Sequence, residues 1–149
     1  MSRKQVLKEA RAWLGTPYKH GADILNVGVD CLMLLVRVYA ASRVIPKNFD
    51  PRPYPSDWHL HQCEERYLGG LLEFCDEVQT PKPADVAIWQ FGRAFSHAAI
   101  VMTPPAKGGE IIHAYRPAKS VTLGHMTENL LADRPVKFFS MKKFATARK

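Results

Sequence analysis

The sequence predicts an α+β fold, with helices in the N-terminal half and an antiparallel sheet in the C-terminal half, on three observations. Apolar residues recur at helical spacing in the segments up to about residue 72. Beyond that point Pro81, Pro83, Pro104, Pro105, Gly108 and Gly109 cut the chain into short runs rich in β-branched and aromatic residues. Prolines and glycines are otherwise dispersed, with no repeat and no low-complexity linker, so residues 1–149 read as a single domain. At 149 residues and 46% hydrophobic, the chain is long enough to bury a core.

Ser2 and Gln5 have the spacing of a capping box, and Val6, Leu7, Ala10, Trp13 and Leu14 then recur at helical spacing until Gly15, which predicts a helix over residues 3–14. A turn-rich loop, "GTPYKHGADILNVGV", follows. Asp30 then precedes "CLMLLVRVYAAS", apolar on almost every face, which predicts a buried helix with Asp30 as N-cap and Cys31 in its first turn. "RVIPKNFDPRPYPS" holds four prolines and reads as an irregular loop before a short helix from Asp57 to about Leu72. The expected strands are "ADVAIWQ", "SHAAIVMT", "EIIHAY" and "PVKFFSM". "VMTPPAKGGEI" makes a hairpin turn between the second and third, and "HMTENLLAD" a short helix in the last connection.

Charge and cysteine content narrow the classes. The net charge of +7 gathers at the ends, in "SRKQVLKEAR" and "VKFFSMKKFATARK", and suits an anionic partner, bacterial wall polymers among them, or simply a solvated face. Nucleic acid is not expected, because the basic residues carry no stacking aromatics and no helix-turn-helix or zinc-finger spacing. The start lacks the apolar core of a secretion signal and no run is long enough for a membrane span, so the expectation is synthesis in the cytoplasm without a signal peptide. Cys31, Cys63 and Cys75 are odd in number and irregular in spacing, which suits neither a disulfide framework nor paired zinc knuckles.

Cys31 is the residue with chemical potential. The first turn of a helix favours a thiolate through unpaired N–H groups and the positive end of the dipole, and with a cationic histidine nearby such thiols titrate at roughly 3.5–7.5. A cysteine in an apolar helix is, taken alone, ordinary core. His97 and His113, each taken alone, are ordinary strand residues. If the two strands are hairpin neighbours, however, both rings stand on one face, which gives nucleophilic catalysis its three parts: Cys31, His97 as base and His113 as the group that orients it. The same three residues are also a Cys-His-His set of the kind that holds zinc. His59, His61 and Cys63 would splay around a helix axis and make a poor metal site. His20 is close enough in sequence to Tyr18 to line the same cleft, while His125 and Cys75 read as surface and packing residues.

"WLGTPYKHGADILNVGVDCLMLLVRVY" resembles the signature of NlpC-type papain-like cell-wall cysteine peptidases, in which a W-x-G-x-P-Y element precedes an Asp-Cys pair at the head of the catalytic helix. "PADVAIWQ", "SHAAIV" and "IIHAY" resemble their downstream strands, and "YPSDW", Tyr54 to Trp58, resembles the small tail peptidases of phages and gene-transfer agents. The resemblance covers about residues 3–116. It implies a papain-like NlpC-type fold, Cys31 as nucleophile, His97 as general base, His113 as third member, and Tyr18 with the Cys31 N–H at the oxyanion. Asp85 takes a structural turn position. Where the family commonly has Asp-Cys-Ser-Gly or Asp-Cys-Leu-Gly this chain has "DCLM", so Met33 is expected to reshape the pocket floor or fill a neighbouring gap.

The implied activity is hydrolysis of peptidoglycan stem-peptide amides, at the bond between D-glutamate and a diamino acid, with no cofactor and no metal. The implied carrier is a phage tail tip or tail-like particle, with other tail-tip proteins as partners. Three rivals stand beside it: a structural tail subunit with a vestigial or masked site, zinc-dependent hydrolysis, and acyl transfer to an acceptor other than water.

Overall fold

A computed structural model describes residues 2–53 and 64–146. Helix α1 spans Arg3–Ala12. Ser2 caps it by accepting from the Gln5 N–H at 3.1 Å, but the Gln5 amide turns to Glu9 instead of returning, so the capping box is half made. The helix stops two residues short of expectation because Trp13 is already the C-cap. Gly15, at φ +88°, then turns the chain so that its N–H donates to the Val121 carbonyl.

That contact begins the placement of Tyr18. Val121 N–H donates back to Thr16 O and Tyr18 N–H to Lys119 O, so residues 15–18 run along a strand edge. On the other side Val29 N–H donates to Pro17 O. The loop expected after α1 holds a small hairpin, β1 (Asp23–Ile24) with β2 (Gly28–Val29), too short to show an alternating pattern in sequence.

Helix α2, Cys31–Ala41, is the hub of the core, with Leu32 to Val36, Val38 and Tyr39 all fully buried. Asp30 caps it as expected, its Oδ1 accepting from Met33 N–H at 2.9 Å and its Oδ2 from Gly21 N–H at 2.7 Å. The charge in this apolar helix, Arg37, leans on Asp23 at 2.9 Å as an ion pair, and Arg52 reaches Asp23 and Asp50 at 3.0 and 2.6 Å, tying the hairpin and the proline-rich loop to α2. Asp50 is held down to about 2, chiefly by its hydrogen bond from Arg52. Helix α3 is described over Glu64–Leu72. Tyr54–Trp58, His59, His61, Cys63 and the first part of the expected helix lie outside the described residues.

Six antiparallel strands follow: β3 Cys75–Val78, β4 Val86–Phe91, β5 Ala94–Val101, β6 Glu110–Tyr115, β7 Ser120–His125 and β8 Val136–Met141, in the order β3-β8-β4-β5-β6-β7. Four match the sequence expectation and two, the edge strands β3 and β7, do not appear in it. The expected helix in "HMTENLLAD" is instead the end of β7 and one 3-10 turn at Asn129–Leu131, entered with Asn129 at φ 48°. A short helix α4, Lys142–Thr146, ends the description.

Alternation splits the sheet's residues between two cores. Val86, Ile88, Ala98, Ile100, Ile112 and Ala114 pack with α1, α2 and α3. Ala87, Trp89, Ala99, Val101 and Ile111 pack on the other face with Met126 and Leu131. Asp85, before β4, is buried and paired with Arg3 at 2.7 Å, and it accepts from Lys82 N–H, the structural turn role expected of it.

Candidate active site

Pairing between β5 and β6 runs through Val101↔Ile111 and Ile100↔Ile112. Among the described residues no β5–β6 pair lies on the N-terminal side of Ile100, and the β4–β5 ladder shifts register between Trp89 and Gln90. There the Cys31 Sγ donates to the Ser96 carbonyl at 3.8 Å, while the N–H groups of Ala98, Leu32 and Cys31 point at the sulfur. Cys31 is 5% exposed.

His97 and His113 stand on the opposite face, in register with Ala99 and Ile111 by alternation. The hairpin brings them together as expected: His97 Nε2 and His113 Nδ1 are 2.8 Å apart, a hydrogen bond. His113 is fully buried and stacked on Tyr115, with ring centroids 4.5 Å apart. Trp89 and Phe91 flank His97 at 5.7 and 6.0 Å. Because Nε2 of His97 is engaged by His113, Nδ1 is the nitrogen available to a reacting group.

A cleft of about 220 Å³ opens over this arrangement, lined by Tyr18, Cys31, Ser96, His97, Tyr115 and Arg116 among others. The Arg116 guanidinium lies 5.6 Å from the centre of the Tyr18 ring, at the rim. His113 stands behind His97. His20 is not among the cleft residues; its Nδ1 is 4.0 Å from Asp30 Oδ2. Met33 is fully buried in the helical core, so it fills a gap there and does not form the pocket floor.

The electrostatics differ from expectation at the sulfur. Burial pushes the Cys31 thiol up to about 12, with the Asp30 carboxylate adding to the rise, and the three N–H groups offset only part of it. The helix head still favours the thiolate, but Cys31 touches the cleft with only 5% of its surface exposed, so lost hydration outweighs that effect. Burial likewise lowers His97 to about 3, with His113 next in importance, and His113 to about 4. The resting pair is therefore neutral thiol and neutral imidazole. Tyr18 is also held above its ordinary value, by burial, Cys31 and Asp30, so its hydroxyl keeps its hydrogen.

Among the described residues no group of three His, Cys, Asp or Glu side chains is arranged to hold a metal ion. Cys75 is a buried thiol packed on Met141, and His125 is exposed, its ring beside the Gly108 carbonyl. No helix among the described residues is long and apolar enough to cross a membrane.

Solved structures share this fold. The NlpC/p60 domain of the peptidoglycan hydrolase SagA matches with a TM-score of 0.60 at 23% identity, over 95% of this chain and 100% of that one. An NlpC/P60 family protein from Bacillus cereus matches at 0.66 and 16% identity, over 92% of this chain and 39% of its own. NlpC1 from Trichomonas vaginalis matches at 0.63 and 14%, over 93% and 43%. The chain thus spans all of the first and about two fifths of the other two. No protein-family profile and no curated protein sequence matches it. The fold is the NlpC/p60 papain-like fold, with the α2 head and His97 opening on one cleft and His113 buried behind His97.

Proposed function

We propose that the chain is a cysteine endopeptidase acting on peptidoglycan stem peptides. The observation that carries this reading is the common cleft of Cys31, Tyr18 and His97, with His113 hydrogen-bonded behind His97. An amide carbonyl entering the cleft meets a thiol whose proton passes to His97 as sulfur attacks, which is general-base activation and needs no preformed ion pair. The Cys31 N–H and the Tyr18 hydroxyl receive the developing oxyanion. His97 then gives its proton to the leaving amine, and a thioester to Cys31 remains. Water, deprotonated by the same ring, releases the acyl product and restores the thiol.

The fold neighbours and the charge of the cleft support this substrate class. One neighbour is named as a peptidoglycan hydrolase domain, and Arg116 at the rim suits a ligand rich in carboxylates, as stem peptides are. The bond between D-glutamate and a diamino acid is the specific cleavage proposed. We place the protein in a phage tail tip or tail-like particle, made in the bacterial cytoplasm and delivered to the wall, with tail-tip proteins as its neighbours. Purified protein incubated with defined stem-peptide fragments should release the two halves of the D-glutamyl–diamino acid amide, and Cys31→Ala should release none. Cleavage by Cys31→Ala at the wild-type rate would end the cysteine reading.

A second reading, a structural tail subunit with a masked site, is favoured by one observation, the buried neutral thiol. No cleavage by wild type or Cys31→Ala, across fragments of different stem composition, supports it.

A further inference from the structure

His113 has a second nitrogen. Its Nδ1 bonds His97, while Nε2 is buried without a hydrogen-bond partner among the described residues. An unpaired polar atom is costly to bury, and one group stands near enough to pair with it. That group is the Glu128 carboxylate. A methyl at Gly124 would collide with Glu128 Oε1 and stand 3.1 Å from His113 Nε2, which places the carboxylate and the ring edge around the same small space over β7. Only glycine leaves that space open. The turn bearing Glu128 is fastened on both sides: Met126 O accepts from Trp89 Nε1 at 3.2 Å, Leu130 N–H donates to the Tyr115 hydroxyl at 3.4 Å, and Leu131 is buried.

We infer that Glu128 is a positioning residue that sets the tautomers of both histidines, an inference that rests on the catalytic reading above. An ionised carboxylate only accepts, so it holds the hydrogen of His113 on Nε2. A neutral His113 then presents Nδ1 as acceptor, which obliges His97 to carry its hydrogen on Nε2. His97 Nδ1 is left as a lone pair, the form a base for the Cys31 proton requires. The relay moves no proton of its own; it fixes which nitrogen reacts.

Ring nitrogen NMR of the 149-residue protein labelled at histidine reads this without turnover, at pH 7 where both rings are neutral. Wild type should show Nε2–H on His113 and on His97. Glu128→Ala should shift His113 toward Nδ1–H and lower stem-peptide turnover by about 100-fold, the scale of a lost general base. Glu128→Gln, whose carbonyl still accepts, should keep the wild-type tautomers. Unchanged tautomers in Glu128→Ala, or Nδ1–H on either ring in wild type, overturn the inference. Should Glu128→Ala not fold, the wild-type and Glu128→Gln spectra decide it. Absence of turnover in wild type would count against the peptidase reading while leaving the tautomer result interpretable.

Discussion

Two forces act on the Cys31 sulfur in opposite directions. N–H groups at the helix head favour the anion, while burial and the adjacent Asp30 disfavour it, and burial prevails, at about 12. The consequence is measurable. Alkylation of Cys31 by a small neutral reagent should climb roughly tenfold per pH unit from pH 6 to 9. A thiolate–imidazolium pair would instead give a rate that levels off near neutrality. His97→Ala should lower turnover by about 100- to 10,000-fold as the proton acceptor disappears, measured against unchanged binding of a substrate fragment. The cysteine and both histidines were legible in the sequence because order and hairpin spacing bring them together. The state of the sulfur was not, since a helix head looks the same in sequence whether it is wet or closed over.

At the scale of elements, what the sequence showed best were strands with long apolar runs. Strands β4, β5, β6 and β8 carry such runs, whereas β3 is "CDEV", with Asp76 and Glu77 exposed, and β7 is "SVTLGH", with Leu123 exposed and Gly124 buried. Edge strands are short and need satisfy one neighbour only, so their patterns fade. Missing β7 also hid Glu128, because only its register shows that Gly124 leaves room beside His113. An isolated glycine in "TLGH" was the available signal. The contact of α1 with the start of β4 was likewise unreadable, although it ties the first helix to the sheet through Arg3 and Asp85. Arg3→Ala leaves that buried carboxylate with its Lys82 N–H alone, and should lower unfolding stability by about 1–3 kcal/mol in a urea titration, with turnover at 25 °C preserved.

For the whole molecule, the depressed histidines link stability to pH. Their folded values, about 3 for His97 and about 4 for His113, lie below the ordinary 6.5. Between these values the unfolded chain binds more protons, so stability is fully present above pH 6.5 and declines as pH falls toward 4 and then 3. The urea midpoint of wild type should fall over that window, and His113→Gln, lacking one titrating ring, should show a shallower fall. The fold itself, helices packed on one face of a sheet and a turn covering the other, puts a helix head and one strand histidine on a common cleft, with the second histidine behind the first.

Whether that cleft performs covalent catalysis is the central question, and the acyl-enzyme answers it directly. Protein mixed with a stem-peptide substrate and quenched in acid within a turnover should carry the mass of the acyl fragment on the peptide containing Cys31, and Cys31→Ser should carry no thioester. Turnover with no mass on Cys31 at any quench time, and unaffected by Cys31→Ala, would contradict the account.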